Sequence, residues 1–318
     1  MAGVSTPLRA WAGRRLLLGA AQVAAVPVLV FALTEALPGD AAVALAGDDP
    51  GPARIAAIRE ALRLDHPAVE RFADWVGELA HGELGRSLAG GRPVAGLLAD
   101  ALGPTVLLAA LTLALLAPTA VGLGMLAARR EGGPLDRAIS TLTLAVHAVP
   151  EFALGVLLTA VFALRLDWLP PTAVGGLGRQ PAVLVLPVLV LLARPVCSIA
   201  RLVRAGLIEA MAAPYAVHAL RCGVAPARVR WTHALPNALA PAAQQLARTA
   251  DWLLGGVIVV EALFVIPGLG TVLLDAVAAR DVPVVQALAV LFGVVTVLLN
   301  LAADLVARRL APRAEVAV

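Results

Sequence analysis

Lysine is absent from this 318-residue sequence, so all 25 basic residues are arginines. The phosphate-binding loop Gly-x-x-x-x-Gly-Lys-Ser/Thr needs a lysine, so this chain has no such loop. Cysteine is nearly absent too. Cys197 and Cys222 are the only two, and neither belongs to a cluster of Cys and His residues with the ligand count of a metal site. The sequence therefore predicts no metal site, no disulfide framework and no bound cofactor.

Charged residues make up only 15% of the chain and aromatic residues only 4%, while hydrophobic residues reach 60%. Soluble chains average about 45–50% hydrophobic and 25% charged residues. This composition excludes intrinsic disorder, a small secreted module and an ordinary soluble enzyme. The arginines are scattered between apolar blocks without aromatic partners, so nucleic acid is not a predicted partner. An integral membrane protein is predicted.

Long apolar runs locate the membrane spans, because a helix needs about 20 apolar residues to cross a bilayer. Three runs carry no charge, and three more are interrupted by only one or two charges. We therefore expect an all-α membrane protein with six transmembrane helices. The first lies within 1–35, with a cytoplasmic N-terminus, and the others lie at about 102–128, 138–164, 180–203, 248–272 and 282–307. The first run also fits a cleaved signal peptide, but its length favours a retained helix.

Arginine-rich segments alternate with poorer ones along the chain, which predicts the orientation. Arginines cluster before the first span, between the second and third, between the fourth and fifth, and after the sixth. Both termini are therefore expected in the cytoplasm of a bacterial cell, with 309–318 as a cytoplasmic tail. The segment 36–100 is then external and 204–247 is cytoplasmic, and 101–308 forms a five-helix core.

The external segment 36–100 shows helical spacing of apolar residues at 52–64 and 68–79, with Pro67 between them as a helix breaker. This predicts a small helical domain outside the membrane. The alternative is a solvated spacer that carries no ligand chemistry.

The cytoplasmic segment 204–247 is predicted to hold one helix over 209–221, a break at Gly223 and a second helix starting at Pro226. Such a bent pair of helices can present a docking surface to a soluble protein. It can equally lie in the lipid headgroups as an amphipathic anchor. The pattern alone leaves both interpretations open.

Nine residues separate Gly223 from the run His233-Ala234-Leu235-Pro236. This spacing resembles the cytoplasmic loop of permease subunits of bacterial ABC importers, in the dipeptide, oligopeptide and nickel permease family. The family's Glu-Ala-Ala triplet is replaced here by Val217-His218-Ala219. Four more segments resemble the family in the right order, at 37–40, 82–87, 261–270 and 280–286.

The resemblance implies a type I ABC importer permease that works by alternating access with a second, homologous permease, as a heterodimer. Two cytoplasmic subunits would bind and hydrolyse ATP with magnesium, and an external solute-binding protein would deliver the solute. The chain itself would not be an enzyme. It would couple to the ATPases through a helix at about 209–222. The implied coupling residues are Tyr215, His218, Ala219, Gly223, His233, Ala234, Leu235, Pro236 and Asn237.

Charged and helix-breaking residues inside the spans are candidates for a pathway or gate, because bare charges are costly in hydrocarbon. The candidates are Glu151, Glu261, Phe264, Pro267, Gly268 and Gly270. Glu261 either gates the pathway or pairs with Arg280 or the partner permease. Glu151 either faces a cavity or joins a buried pair. Arg194 is expected to extend to the cytoplasmic surface.

Two other classes of protein fit six spans. A membrane enzyme would need a zinc motif, paired carboxylates or a nucleophile–His dyad within the spans, and the sequence shows none of these. A secondary transporter or channel that works without an ATPase is the second alternative. Substrate identity stays open among dipeptides, oligopeptides, nickel chelates and related small solutes.

Overall fold

The computed structural model describes residues 8–36, 42–43, 51–61, 63–174 and 180–310. These residues are almost entirely helical, with a single isolated β-bridge between Arg86 and Pro93. The family-like segment 37–40 lies outside the described residues, as does most of the predicted C-terminal tail.

Twelve α-helices are described, in two cases extended by a π-helical turn. They are α1 Leu8–Glu35, α2 Pro52–Ala61, α3 Ala68–Ala80, α4 Val94–Ala128, α5 Pro134–Ala148, α6 Glu151–Leu158 with the π-helix Thr159–Arg165, α7 Val185–Ala212, α8 Pro214–Arg221, α9 Pro226–Val229 with the π-helix Arg230–Ala234, α10 Leu235–Phe264, α11 Leu269–Ala278 and α12 Val282–Leu310. A 3₁₀ turn, Pro181–Leu184, precedes α7.

Four helical segments of the described chain are long and apolar enough to cross a membrane, and the count rises to six if each of two bent helix pairs forms one span. The single helices lie at Gly13–Glu35, Val94–Ala128, Pro181–Ala212 and Val282–Ala302. The predicted all-α membrane fold is confirmed, and two of the six predicted spans correspond to bent helix pairs.

The third span, predicted as one helix over 138–164, is instead the pair α5–α6, bent by 108°. Val149 and Pro150 have extended backbones at the break. Proline disfavours the helical conformation in the residue before it, so Val149 is not helical and the helix ends at Ala148. The bend places Glu151 at the start of a new helix inside the apolar segment.

The fifth span also differs from its predicted bounds of 248–272. Helix α10 begins at Leu235 and ends at Phe264, where Val265 adopts a left-handed conformation with φ of 54°. Pro267 cannot continue the helical hydrogen-bond ladder because it has no N–H. Helix α11 then begins at Leu269. The fourth span is longer than predicted, since α7 continues to Ala212.

The chain divides into two compact units. The first comprises residues 1–103 and 267–301, and its core is built from Val94, Leu98, Leu269, Val284 and Leu288 with their neighbours. Helices α2 and α3 of the predicted helical domain belong to it. Helix α3 packs against α1 through Phe31, Phe72 and Trp75, whose ring centroids lie 5.2–6.3 Å apart.

The second unit comprises residues 104–266 and 302–318. Its core is the packing of α7 against α10, with α5, α6 and α4 residues around them. Small residues allow close approach: a Cβ on Gly206 of α7 would lie 3.2 Å from the backbone of Ala238 in α10. This unit holds the predicted coupling segment.

Candidate functional site

Helix α8, Pro214–Arg221, is a short isolated helix between two breaks. The sequence predicted one helix over 209–221, but the backbone of Ala213 is extended and separates α7 from α8. Pro214 explains the difference, since it disfavours a helical residue before it and suits the first helical position itself. The predicted coupling helix of 209–222 is therefore shorter and stands apart from the membrane-spanning helix α7.

Gly223 ends α8 with φ of 83°, a left-handed conformation that glycine adopts without strain. The N–H of Gly223 donates to the carbonyl of Leu220, and the N–H of Val224 donates to that of Ala219. These two bonds form a Schellman motif, which satisfies carbonyls that the helix end would leave unpaired. A Cβ on Gly223 would meet no atom within 4 Å, so backbone conformation alone favours glycine here.

One side chain near the start of α10 forms a hydrogen bond with α8. Asn237 donates through Nδ2 to the hydroxyl of Tyr215 at 3.2 Å and to the carbonyl of His233 at 2.7 Å. The structure thus brings together three of the predicted coupling residues. Tyr215 is 18 positions from His233 and 22 positions from Asn237 in sequence. Pro236 lies in the first turn of α10.

This segment has a buried side and an exposed side. Ala216 and Val229 are buried, as are the predicted coupling residues Ala234 and Leu235, while six other predicted coupling residues are exposed: Tyr215, His218, Gly223, His233, Pro236 and Asn237. Arg221 and Cys222 at the end of α8 are exposed as well. Ala219 is half-buried. The polar and aromatic side chains of α8 are therefore available to a partner, while Ala216 of the same helix is buried.

Glu261 is fully buried in α10, and Thr105 of α4 donates its hydroxyl to the Glu261 carboxylate at 2.6 Å. Three residues on, Phe264 is buried, and its carbonyl accepts the backbone N–H of Ala173 at 2.9 Å. Thr105 was not predicted as a partner, because a threonine in an apolar run gives no signal of its own. This part of the predicted gate is a closed, hydrogen-bonded contact.

The remaining gate candidates form the turn that starts α11. The N–H of Gly268 donates to the Oγ1 of Thr271 at 3.0 Å, and that hydroxyl donates to the carbonyl of Gly268 at 2.8 Å. Gly268 and Gly270 are buried, and Pro267 is exposed. These bonds cap the first turn of α11, which gives the Pro-Gly-x-Gly sequence a structural role.

Glu151 and Arg194 form an ion pair, with 3.6 Å between Oε1 and Nη1. Arg194 was expected to extend to a membrane surface, but it instead meets the first residue of α6. The distance exceeds hydrogen-bond range. The Glu151 carboxylate lies close to α10 at Gly256, since a Cβ there would lie 3.2 Å from Oε2 of Glu151. Three helices therefore meet around one loosely paired carboxylate.

A second ion pair joins α5 to α7 and was not predicted. The buried Asp136 accepts two bonds from the guanidinium of Arg204, one from Nε and one from Nη2 at 2.7 Å. It also accepts the N–H of Gly132 at 2.8 Å and the hydroxyl of Ser140 at 3.2 Å. The two residues are 68 positions apart, so no local pattern connects them.

The described residues contain no group of three or more His, Cys, Asp or Glu side chains that could hold a metal ion. The His218 and Cys222 side chains approach to 3.6 Å at the end of α8, but no third ligand accompanies them among the residues that the structure describes.

Comparison with known proteins decides the family. Residues 120–316 match the family of binding-protein-dependent transport system inner membrane components. The chain belongs to this family. A probable peptide ABC transporter permease protein of Sinorhizobium fredii is 34% identical over 94% of this chain and 97% of its own length. A glutathione transport system permease protein of Escherichia coli is 35% identical over 90% of this chain and 92% of its own length.

A putative peptide transport system permease protein of Brucella abortus is also similar, at 34% identity over 91% of this chain. The chain is therefore a permease subunit of an ABC importer, with the type I permease fold. Such a permease works in a transport system with an ATPase and a binding protein, which sets aside the alternative of a membrane enzyme or an ATPase-independent transporter.

Proposed function

We propose that this permease moves small peptides into the cytoplasm, and that α8 is the surface on which an ATPase subunit docks. The observation that carries the docking role is the geometry of α8. It is a short helix between two breaks, fixed underneath by Ala216 and exposing Tyr215, His218 and Arg221. A rigid helix held in this way transmits a push from a partner to the helices on either side of it.

Energy for the cycle would come from ATP and magnesium on two partner subunits, because this chain has no lysine for a phosphate-binding loop of its own. A second, homologous permease would complete the pathway, and an external binding protein would deliver the solute. ATP can drive alternating access only if the ATPases bind the two states of the permease with different affinity. A docking helix joined to α7 and α10 provides that difference in contacts.

The orientation follows from the arginines. Arg201, Arg204, Arg221, Arg228 and Arg230 all lie in the segment around α8, with Glu209 as the sole acidic residue between 200 and 235. Short segments rich in arginine remain on the cytoplasmic side. We therefore place α8 and both termini in the cytoplasm, and α2 and α3 outside.

A peptide is the proposed solute because the relatives named above are permeases of peptide and glutathione systems. Glutathione is itself a tripeptide, so the chemistry shared by these solutes is a peptide backbone with free charged ends.

Charge reversal on the docking helix tests the proposal. The complete transporter would be reconstituted in liposomes with Arg221→Glu, and with Arg165→Glu as a matched control that changes an exposed arginine outside this segment. We expect Arg221→Glu to weaken ATPase binding and to reduce ATP-dependent peptide uptake, while Arg165→Glu leaves both unchanged. Equal effects of the two variants, or uptake that needs no ATP, would contradict the proposal.

The Schellman turn provides a second test. Gly223→Val places a β-branched residue at φ of 83°, whereas Gly223→Asn tolerates that conformation better. We expect the valine variant to assemble and hydrolyse ATP but to move less peptide per ATP, and the asparagine variant to stay close to wild type. Normal uptake by the valine variant would show that the turn does not position α8.

A further inference from the structure

The membrane-embedded ion pair between Glu151 and Arg194 has features that a purely structural pair does not need. Glu151 starts α6 directly after the break of the bent span, and Arg194 is the tenth residue of α7, about 14 Å along its axis. The pair therefore lies within the apolar segments, well away from the ends of α7. Ionisable residues in such places mark solute or ion pathways far more often than they mark packing.

The pair is loosely made. Its closest atoms are 3.6 Å apart, and the Arg194 side chain is 41% exposed in the isolated chain. A guanidinium offers five donors arranged as a fork that suits a carboxylate. Facing lipid with these donors would be costly, so Arg194 must face either water or another chain.

The Glu151 carboxylate also lies close to the backbone of α10, because Gly256 presents no side chain toward it. The helix break at Val149–Pro150 supplies the kind of discontinuous helix around which membrane transporters form their solute sites, near the middle of the bilayer. Two opposite charges whose side chains can separate are complementary to a small molecule that carries both charges.

We infer that Glu151 and Arg194 form a transient binding site in the transport pathway for the two charged ends of a small zwitterion, such as a peptide with free termini. The Glu151 carboxylate accepts hydrogen bonds from the ligand's ammonium group, and the Arg194 guanidinium donates to the ligand's carboxylate. When the ligand leaves, the two side chains pair with each other again, so that neither charge is left unpaired. This site rests on the proposed function as a peptide importer.

The test compares two substrates and two variants in the reconstituted transporter. The substrates are a radiolabelled dipeptide with free ends and the same dipeptide with a C-terminal amide, each supplied at a concentration that saturates the binding protein. In Arg194→Gln, uptake of the free-ended dipeptide should fall at least about tenfold, the effect of one lost hydrogen bond between charged groups. Uptake of the amide should not fall, because it has no carboxylate for Arg194 to bind.

The double variant Glu151→Gln with Arg194→Gln distinguishes a ligand-binding site from an ion pair that only stabilises the structure. Replacing both charges with neutral amides leaves no unpaired charge, so a structural pair would tolerate it with full uptake. The inference expects uptake of the free-ended dipeptide to fall as far as in the single variant, with an unchanged thermal unfolding midpoint. Arg194→Lys keeps the charge but loses the fork, and it should retain part of that uptake.

Three results would overturn the inference. The first is equal slowing of the uptake of both dipeptides in Arg194→Gln, which is the behaviour of a gate. The second is full uptake in the double variant, and the third is a lowered unfolding midpoint that accounts for the loss of uptake. A wild-type transporter that hydrolyses ATP but takes up neither dipeptide would instead reject the proposed substrate class, so the two failures are distinguishable.

Discussion

Arg204 and Arg194 lie ten residues apart on helix α7, and each meets a carboxylate of the bent pair α5–α6. The Asp136–Arg204 pair is bidentate, and Asp136 is 3% exposed with two further donors around it. The Glu151–Arg194 pair is longer than a hydrogen bond and more exposed. Helix α7 thus forms a tightly bonded ion pair with α5 and a longer, more exposed ion pair with α6.

This difference shows that a charged pair in a membrane protein has to be judged by its geometry. A fully satisfied carboxylate such as Asp136 has no capacity left for a ligand, so its role is to hold the turn after α4, the start of α5 and the end of α7 together. A loosely paired carboxylate such as Glu151 retains that capacity.

Asp136→Ala should have the largest effect. It leaves the Arg204 guanidinium partly buried without its partner, and breaking a buried pair in this way costs about 3–5 kcal/mol. The purified permease should lose stability by roughly the lower end of that range, because Arg204 is 29% exposed. Thermal unfolding in detergent measures this. A midpoint equal to that of wild type would show that the pair does not hold α5 to α7.

Lysine substitution separates the two arginines. Arg204→Lys loses the bidentate geometry and should cost about 1.5–3 kcal/mol, the value of a hydrogen bond to a charged group. Arg194→Lys should change stability by less than about 0.5 kcal/mol, since the present contact is only a point-charge attraction. The same unfolding measurement applies to both. Similar losses in the two variants would remove the distinction between a fixed and a releasable pair.

Two adjacent glycines of α10 test the space beside Glu151. A Cβ at position 256 would lie 3.2 Å from the Glu151 carboxylate, whereas a Cβ at 255 would meet nothing within 4 Å. Gly256→Ala should therefore be less stable than Gly255→Ala by about 1 kcal/mol, the lower end for an overpacked site. It should also slow peptide uptake. If both alanine variants behave alike, the carboxylate does not occupy this position.

The exposed pair of Arg92 and Asp100 should have the smallest effect. Its atoms are 2.8 Å apart, yet both side chains are at least 60% exposed. Solvent screens such pairs, so Arg92→Ala should change stability by less than about 0.5 kcal/mol. A loss as large as that for Asp136→Ala would show that distance alone decides the strength of these pairs, against the present account.

Much of the fold could be predicted because long charge-free runs indicate spans wherever they occur. Helices α1, α4 and α12 lie on such runs. The two helix breaks could not be predicted from proline alone, since Pro104, Pro118 and Pro195 lie inside continuous helices while Pro150 follows a break. In a membrane, neighbouring helices can satisfy the groups that a proline frees, so the surroundings decide.

The site was predicted in part. Gly223, Tyr215 and the run from His233 to Asn237 belong to local sequence patterns, and the structure places them in one segment. The partners of the charged residues belong to no local pattern. Thr105 is 156 positions from Glu261, and Arg204 is 68 positions from Asp136. Only packing of distant helices brings such groups together, so a single sequence does not show them.

Labelling of the native cysteines tests whether α8 faces the cytoplasm and binds an ATPase there. Cys222 at the end of α8 is exposed, and Cys197 in α7 is buried. A membrane-impermeant thiol reagent should therefore label Cys222 in inside-out vesicles stripped of ATPase, with Cys222→Ser as the control, and bound ATPase should prevent the labelling. Labelling of Cys222 in right-side-out vesicles, or labelling that the ATPase leaves unchanged, would contradict the account.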